Sequence, residues 1–266
     1  MSLNFAGISP HPPIIVPGIG NEDDLIKVGE TILSMKKLTT AFRQAEIDTL
    51  IIISPHMLIY HDKFNIAAMG KLFGSFASFN HPEIIMEEQN DLDFVSILEK
   101  KVNDAQIAHV LYDNGGEFFE LDHGSMVPLS YLKQNQESSF NVVPIAYSYL
   151  PAAAHFSFGQ VLKEAMMEYN GRVGILASGD LSHQLLQNPE AKIFDKTLVK
   201  DLKENNVQDI LYYDENFVEE AGECGYRSIV TLLGALDGLD VVPEILSYEG
   251  PFGVGYLVGN YKLGDK

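Results

Sequence analysis

Short, uninterrupted apolar runs separated by longer stretches of helical period constrain this chain more than any other feature. Leu50-Ile51-Ile52-Ile53 is the plainest of these runs. Side chains of a strand point alternately to its two faces, so a run that is apolar at every position must be covered on both. Strand candidates lie at residues 4–8, 49–54, 64–69, 108–112, 142–146, 173–177, 244–248 and 253–259. Between them, apolar residues recur at helical spacing over 23–45, 91–102, 126–133, 156–169, 191–205 and 224–236. This alternation predicts an α/β fold, a single domain over residues 1–266 with a central, largely parallel or mixed sheet flanked by helices on both faces. No Pro-, Gly- or Ser-rich linker interrupts it, and 266 residues suit one α/β unit.

Charge narrows the partners. Lys and Arg number 18 against 37 Asp and Glu, a formal net charge of −19. Such a surface repels phosphate backbones and anionic bilayers, so neither nucleic acid nor a membrane is the expected partner. An anionic substrate would need a local cation, and the arginines are Arg43, Arg172 and Arg227. The single cysteine, Cys224, permits no intrachain disulfide, which suits a reducing compartment. The first residues lack the pattern of a secretory signal, and no apolar stretch reaches the ~20 residues of a membrane span. Cytoplasm is the expected location.

The histidines carry the chemical information. His11 and His56 each follow Ser-Pro directly after an apolar strand, and His183 follows the 173–177 strand through Ser178-Gly179-Asp180-Leu181-Ser182. His123 stands in a loop that runs into a helix. Ligands of open α/β sheets bind beyond the carboxyl ends of the strands, so parallel strands would bring these four imidazoles to one crevice. The prolines stiffen each strand exit and fix where the next side chain points. A lone loop histidine ordinarily makes turn hydrogen bonds, and His81, His109 and His155 are read that way. Two histidines and a carboxylate on one face of an ion form the non-haem Fe(II) triad. The third donor would come from Glu223-Cys224 at the start of the last helix. Glu223 reads equally as a first-turn acid on the helix dipole, and Cys224 as a small buried residue.

Ser9-Pro10-His11-Pro12-Pro13, Ser54-Pro55-His56, Asp122-His123-Gly124 with Val127-Pro128-Leu129, Ser178-Gly179-Asp180-Leu181-Ser182-His183 and Glu223-Cys224-Gly225 occur in this order. Together they resemble the class III extradiol ring-cleavage dioxygenase family, catalytic subunit type, which includes the Memo proteins. The resemblance spans nearly the whole chain and implies one α/β domain. It implies that His11 and His56 bind Fe(II), that His183 is the catalytic acid/base, and that His123 contacts substrate or oxygen. The substrate would be a catechol cleaved with O2, and the assembly a homodimer. Glu223 would complete the metal site, with Cys224 the alternative, because the Memo branch carries a cysteine before this glycine. Arg227 would take a substrate carboxylate, or serve as a surface salt-bridging residue. The alternative function is a Memo-like metal-site protein acting through partners or redox chemistry without ring cleavage. Zinc or another divalent metal also suits such donors.

Overall fold

The computed structural model describes residues 3–134 and 139–264. Eight strands form one mixed sheet in the order β10-β11-β1-β9-β2-β8-β3-β6. Its centre is β1 (Leu3–Ser9), β9 (Val173–Ser178), β2 (Thr49–Ser54) and β8 (Asn141–Ala146), all mutually parallel. On one side β11 (Tyr256–Leu263) joins β1 antiparallel and pairs with β10 (Val241–Glu249). On the other, β3 (Phe64–Ala67) joins β8 antiparallel and pairs in parallel with β6 (His109–Tyr112).

The continuous apolar runs have the physical reason anticipated for them. Ile51 and Ile53 face one core with Phe158 and Leu162 of α5 (Ala152–Glu168), Ile229 and Leu233 of α9 (Tyr226–Leu236), α3 (Leu92–Asp104) and α6 (Pro189–Glu204). Leu50 and Ile52 face the other, with Met35, Leu38 and Phe42 of α2 (Gly29–Ala45) and Val127 of α4 (His123–Leu132). Each strand is therefore apolar at successive positions because both faces are covered.

Three features depart from the expectation. A second sheet, β5-β4-β7, is built from Lys71–Phe76 (β4), His81–Gln89 (β5) and Phe119–Glu120 (β7). The helix expected over 23–45 breaks at Val28, so α1 (Glu22–Lys27) precedes α2. Two short helices, α7 (Val207–Leu211) and α8 (Glu215–Ala221), fill the interval before α9. Among the described residues no helix is long and apolar enough to cross a membrane.

Candidate metal centre

The four central parallel strands end at one edge of the sheet, and their exits bring the candidate residues together. His11 leaves β1, His56 leaves β2, and Asp180 and His183 follow β9. His123 is the first residue of α4, whose N-cap Asp122 accepts a hydrogen bond from the Ser125 amide at 2.9 Å. The other oxygen of Asp122 accepts from the Ser54 hydroxyl and from the His56 amide, the latter at 3.1 Å. One carboxylate thus ties the β2 exit to the start of α4. Gly124 permits this closeness, since a Cβ there would overlap the Ser54 hydroxyl.

The His11, His56 and His123 rings converge, with one ligand atom from each all within 4.8 Å of one another. The Nε2 atoms of His11 and His56 are 3.0 Å apart, and the His56 and His123 rings stack at 4.2 Å between centroids. Two imidazoles bound at about 2.1 Å to one ion, at roughly a right angle, would hold their nitrogens at about that separation. The donor set therefore fits a mononuclear metal.

The surroundings keep the donors ready. The Ser178 hydroxyl donates to the Gly124 carbonyl, so it can only accept from His11 Nδ1, 3.0 Å away. That assigns the proton to Nδ1 and leaves the His11 Nε2 lone pair free. The backbone amide of His11 donates to Asp180 Oδ1 at 2.9 Å. Burial, reinforced by His56, His123 and His183, holds His11 well below the usual imidazole range. Burial and the neighbouring His123 bring His56 down to about 4, and burial also lowers His123. Neutral imidazoles are the form that binds metal.

Glu223 and Cys224 part company. The Glu223 carboxylate accepts from the Tyr226 amide in the first turn of α9 and lies 3.9 Å from the Arg227 guanidinium. Burial pushes it up to about 7 against these contacts. The Cys224 sulfur lies 3.5 Å from His11 Nε2, accepts from the Asp180 amide at 3.3 Å, and is 9% exposed. Burial, then Asp180 and Glu223, hold its thiol well above the usual value. Asp180 itself is raised to about 7 by burial.

Cys224 reaches His11 because Gly179 and Gly225 pack backbone against backbone. A Cβ on Gly179 would overlap the Gly225 Cα. Gly179→Ala is therefore expected to destabilise the fold by about 1–3 kcal/mol and to weaken metal binding together with it, as read by denaturant melts and metal titration. An unchanged melt would show that the β9 exit and α9 can separate freely.

His183 is exposed at the rim, with Nδ1 2.8 Å from the Gly222 carbonyl. Arg227 sits 5.9 Å from the Tyr149 ring and lines a pocket of about 230 Å³. A second pocket, of about 280 Å³, opens at His56 between Met57, Leu58, Tyr112 and Phe119. His155 is a core residue, bonded through Nδ1 to the Pro151 carbonyl, and His81 pairs with Glu83 at the surface. Sequence reasoning gave no role to Ser178 or Asp180, although both stand in the strand-exit motif that was singled out.

The model of the catalytic LigB subunit of aromatic ring-opening dioxygenase matches residues 6–259. Protein CA_C1420 of Clostridium acetobutylicum is 35% identical over 267 residues, covering 96% of this chain and 57% of that protein. The 3,4-dihydroxyphenylacetate 2,3-dioxygenase of Escherichia coli is 24% identical over 161 residues, 59% of this chain and 57% of its own length. The MEMO1 family protein MMP1387 of Methanococcus maripaludis is 26% identical over 135 residues, 50% of this chain and 46% of its own. The chain thus spans about half the length of the curated relatives it matches. A crystal structure of the uncharacterized protein JW3007 from Escherichia coli K12 shares the fold, with a TM-score of 0.67 and 18% identity over 98% of this chain and 99% of that one. With the family model matching nearly end to end, the chain belongs to the family of the catalytic LigB subunit of aromatic ring-opening dioxygenases.

Proposed function

We propose that this protein is an extradiol dioxygenase that opens a catecholic ring with O2 at ferrous iron held by His11 and His56. The observation that supports this most is the pair of neutral imidazole nitrogens 3.0 Å apart at the strand exits, with His56 on the wall of a pocket lined also by Tyr112 and Phe119. When bound, the ion would supply Lewis acidity toward the phenolic oxygens and a position for dioxygen. The remaining work falls to the chain. Tyr112, Phe119, Met57 and Leu58 form a slot for an aromatic ring. His183 carries its proton on Nδ1, facing the Gly222 carbonyl, so its Nε2 is free to take a phenolic proton and return it. His123, oriented as the first residue of α4, hydrogen-bonds the reacting oxygens. Arg227 receives a substrate carboxylate in competition with Glu223.

For the third donor, Cys224 has the better geometry: its sulfur is 3.5 Å from His11 Nε2, while the Glu223 carboxylate is engaged by α9. A thiolate softens the site toward zinc or copper. That one contact favours a second reading, a Memo-like metal protein that acts through partners or redox chemistry without ring cleavage.

Metal analysis of anaerobically purified protein, followed by oxygen uptake with a panel of catechols, separates the two. Iron with catechol-dependent uptake supports the dioxygenase; bound metal that stays silent with every catechol supports the second reading. Cys224→Ser is expected to weaken metal binding at least tenfold, whereas Glu223→Gln, which keeps an acceptor for the Tyr226 amide, should leave it within a few-fold. The reverse ranking in a competition titration would restore Glu223 as the third donor.

A further inference from the structure

Asp195 stands in the second turn of α6 and is fully buried. A carboxylate taken out of water must be hydrogen-bonded, and both of its oxygens are. One accepts from the Ser182 amide at 2.9 Å, the other from the Tyr248 hydroxyl of β10 at 2.7 Å. Ser182 immediately precedes His183. Its hydroxyl, also buried, donates to the Ala221 carbonyl at 2.8 Å and accepts from the Gln184 amide at 3.0 Å. Ala221 is the neighbour of Gly222, whose carbonyl lies 2.8 Å from His183 Nδ1. One serine thus fixes the chain on both sides of His183 and the turn that anchors its ring, and Asp195 fixes that serine. Gly255, just before β11, closes the arrangement. Its amide donates to the Ser182 carbonyl and its carbonyl accepts from the Leu181 amide, both at 2.8 Å. A Cβ on Gly255 would overlap the Asp195 carboxylate. The turn that holds His183 is also the one that reaches the metal donors: two residues beyond Gly222, the Cys224 sulfur is 3.5 Å from His11 Nε2. Packing alone does not call for an acid at this place. Phe194 and Leu198 of the same helix fill the core, and an apolar side chain would avoid the cost of desolvating a charge. What the carboxylate adds is a fixed direction for the chain beside His183.

We propose that Asp195 is a positioning residue: through the Ser182 amide it holds the 181–184 strap against the Ala221–Gly222 turn, so that the His183 imidazole meets the phenolic proton in one orientation. The role rests on the acid–base reading of His183 given above and adds to it the buried group that sets the ring. Proton transfer needs that precision, since a misplacement of about 1 Å can cost on the order of 10²-fold in rate.

Asp195→Ala removes both bonds, Tyr248→Phe removes only the one that does not lead to His183, and Asp195→Asn keeps an acceptor for the Ser182 amide. Each is loaded with iron anaerobically and compared with the wild type by thermal melt, metal content and optical titration with 4-nitrocatechol. Oxygen uptake is then read with the catechol that the wild type turns over fastest. Asp195→Ala is expected to lower kcat roughly tenfold or more, with metal content and the 4-nitrocatechol Kd within about twofold. Asp195→Asn and Tyr248→Phe should keep kcat within about threefold, although Tyr248→Phe leaves a buried carboxylate oxygen unpaired and melts lower. In a His183→Ala background supplied with imidazole, adding Asp195→Ala should leave the rescued rate unchanged, because free imidazole is not held by the strap. An unchanged kcat in Asp195→Ala would overturn the role. So would an equal loss in Tyr248→Phe, or a further loss of the same size in the rescued double variant, since either makes Asp195 purely structural. Should Asp195→Ala fail to fold, Ser182→Ala breaks the same link one residue from His183, and an unchanged kcat there overturns the role equally. A wild type that turns over no catechol, or a His183→Ala variant with full turnover, would overturn the acid–base reading first, and this role with it.

Discussion

Replacement of both His11 and His56 by alanine is expected to give a folded protein that retains no stoichiometric metal and no oxygen uptake. The two Nε2 atoms, 3.0 Å apart, are spaced as two ligands of one ion, and His11 Nε2 is also the atom 3.5 Å from the Cys224 sulfur, so losing both rings removes the hub of the donor set. Removing them leaves His123 and Cys224, two side chains with no shared geometry imposed by strand exits. Burial makes the loss sharper, because the site offers metal neutral imidazoles that need not shed protons first. The fold should survive. His11 is 2% exposed, and its ring bonds Ser178, but its backbone anchor to Asp180 is independent of the ring. Truncation therefore costs about 1–3 kcal/mol, the scale of a buried hydrogen bond left unmade, out of a total that a chain with two extensive cores can spare. Elemental analysis after metal loading, with circular dichroism melts alongside, tests this directly. Undiminished metal in the double variant would move the centre away from the strand exits.

The sheet and the crevice were legible in the sequence for the same reason. Burial on both faces writes an unbroken apolar code into β2, and Ser-Pro at two strand exits marks where the backbone stiffens before a histidine. What escaped was held by weaker patterns. The second sheet uses β5, where Ile84, Met86 and Glu88 alternate with exposed residues over a partial cover, and β7, only two residues long. The helices α7 and α8 have five and seven residues, too few for a period to register. The break at Val28 lies inside one continuous pattern of helical period, and α1 before it buries no residue to mark it as a separate helix. Glu223 and Cys224 stood adjacent and equally eligible, and sequence has no term for the backbone contact between Gly179 and Gly225 that turns the sulfur toward His11.

His183→Ala is expected to keep the metal and abolish turnover. The ring lies close enough for its charge to act on both His11 and His56, yet it stands outside the tight group of converging donors. A carbonyl can only accept, so Gly222 fixes the proton on Nδ1 and turns the free Nε2 lone pair away from the backbone. Gly222 holds this carbonyl in place as the left-handed cap of α8, at φ 61°. General acid–base catalysis by such a group contributes about 10²- to 10⁴-fold, and a loss of that size in kcat is the expected reading in the oxygen-uptake assay. Metal content and the 4-nitrocatechol Kd should stay within a few-fold of wild type, because neither depends on the missing ring. Exposure supplies a further check. His183 sits at the rim, so added imidazole can enter the space it vacates and should restore part of the rate. Loss of metal in His183→Ala would make it a ligand, and full turnover without it would assign the proton transfer to His123, whose ring stacks on that of His56.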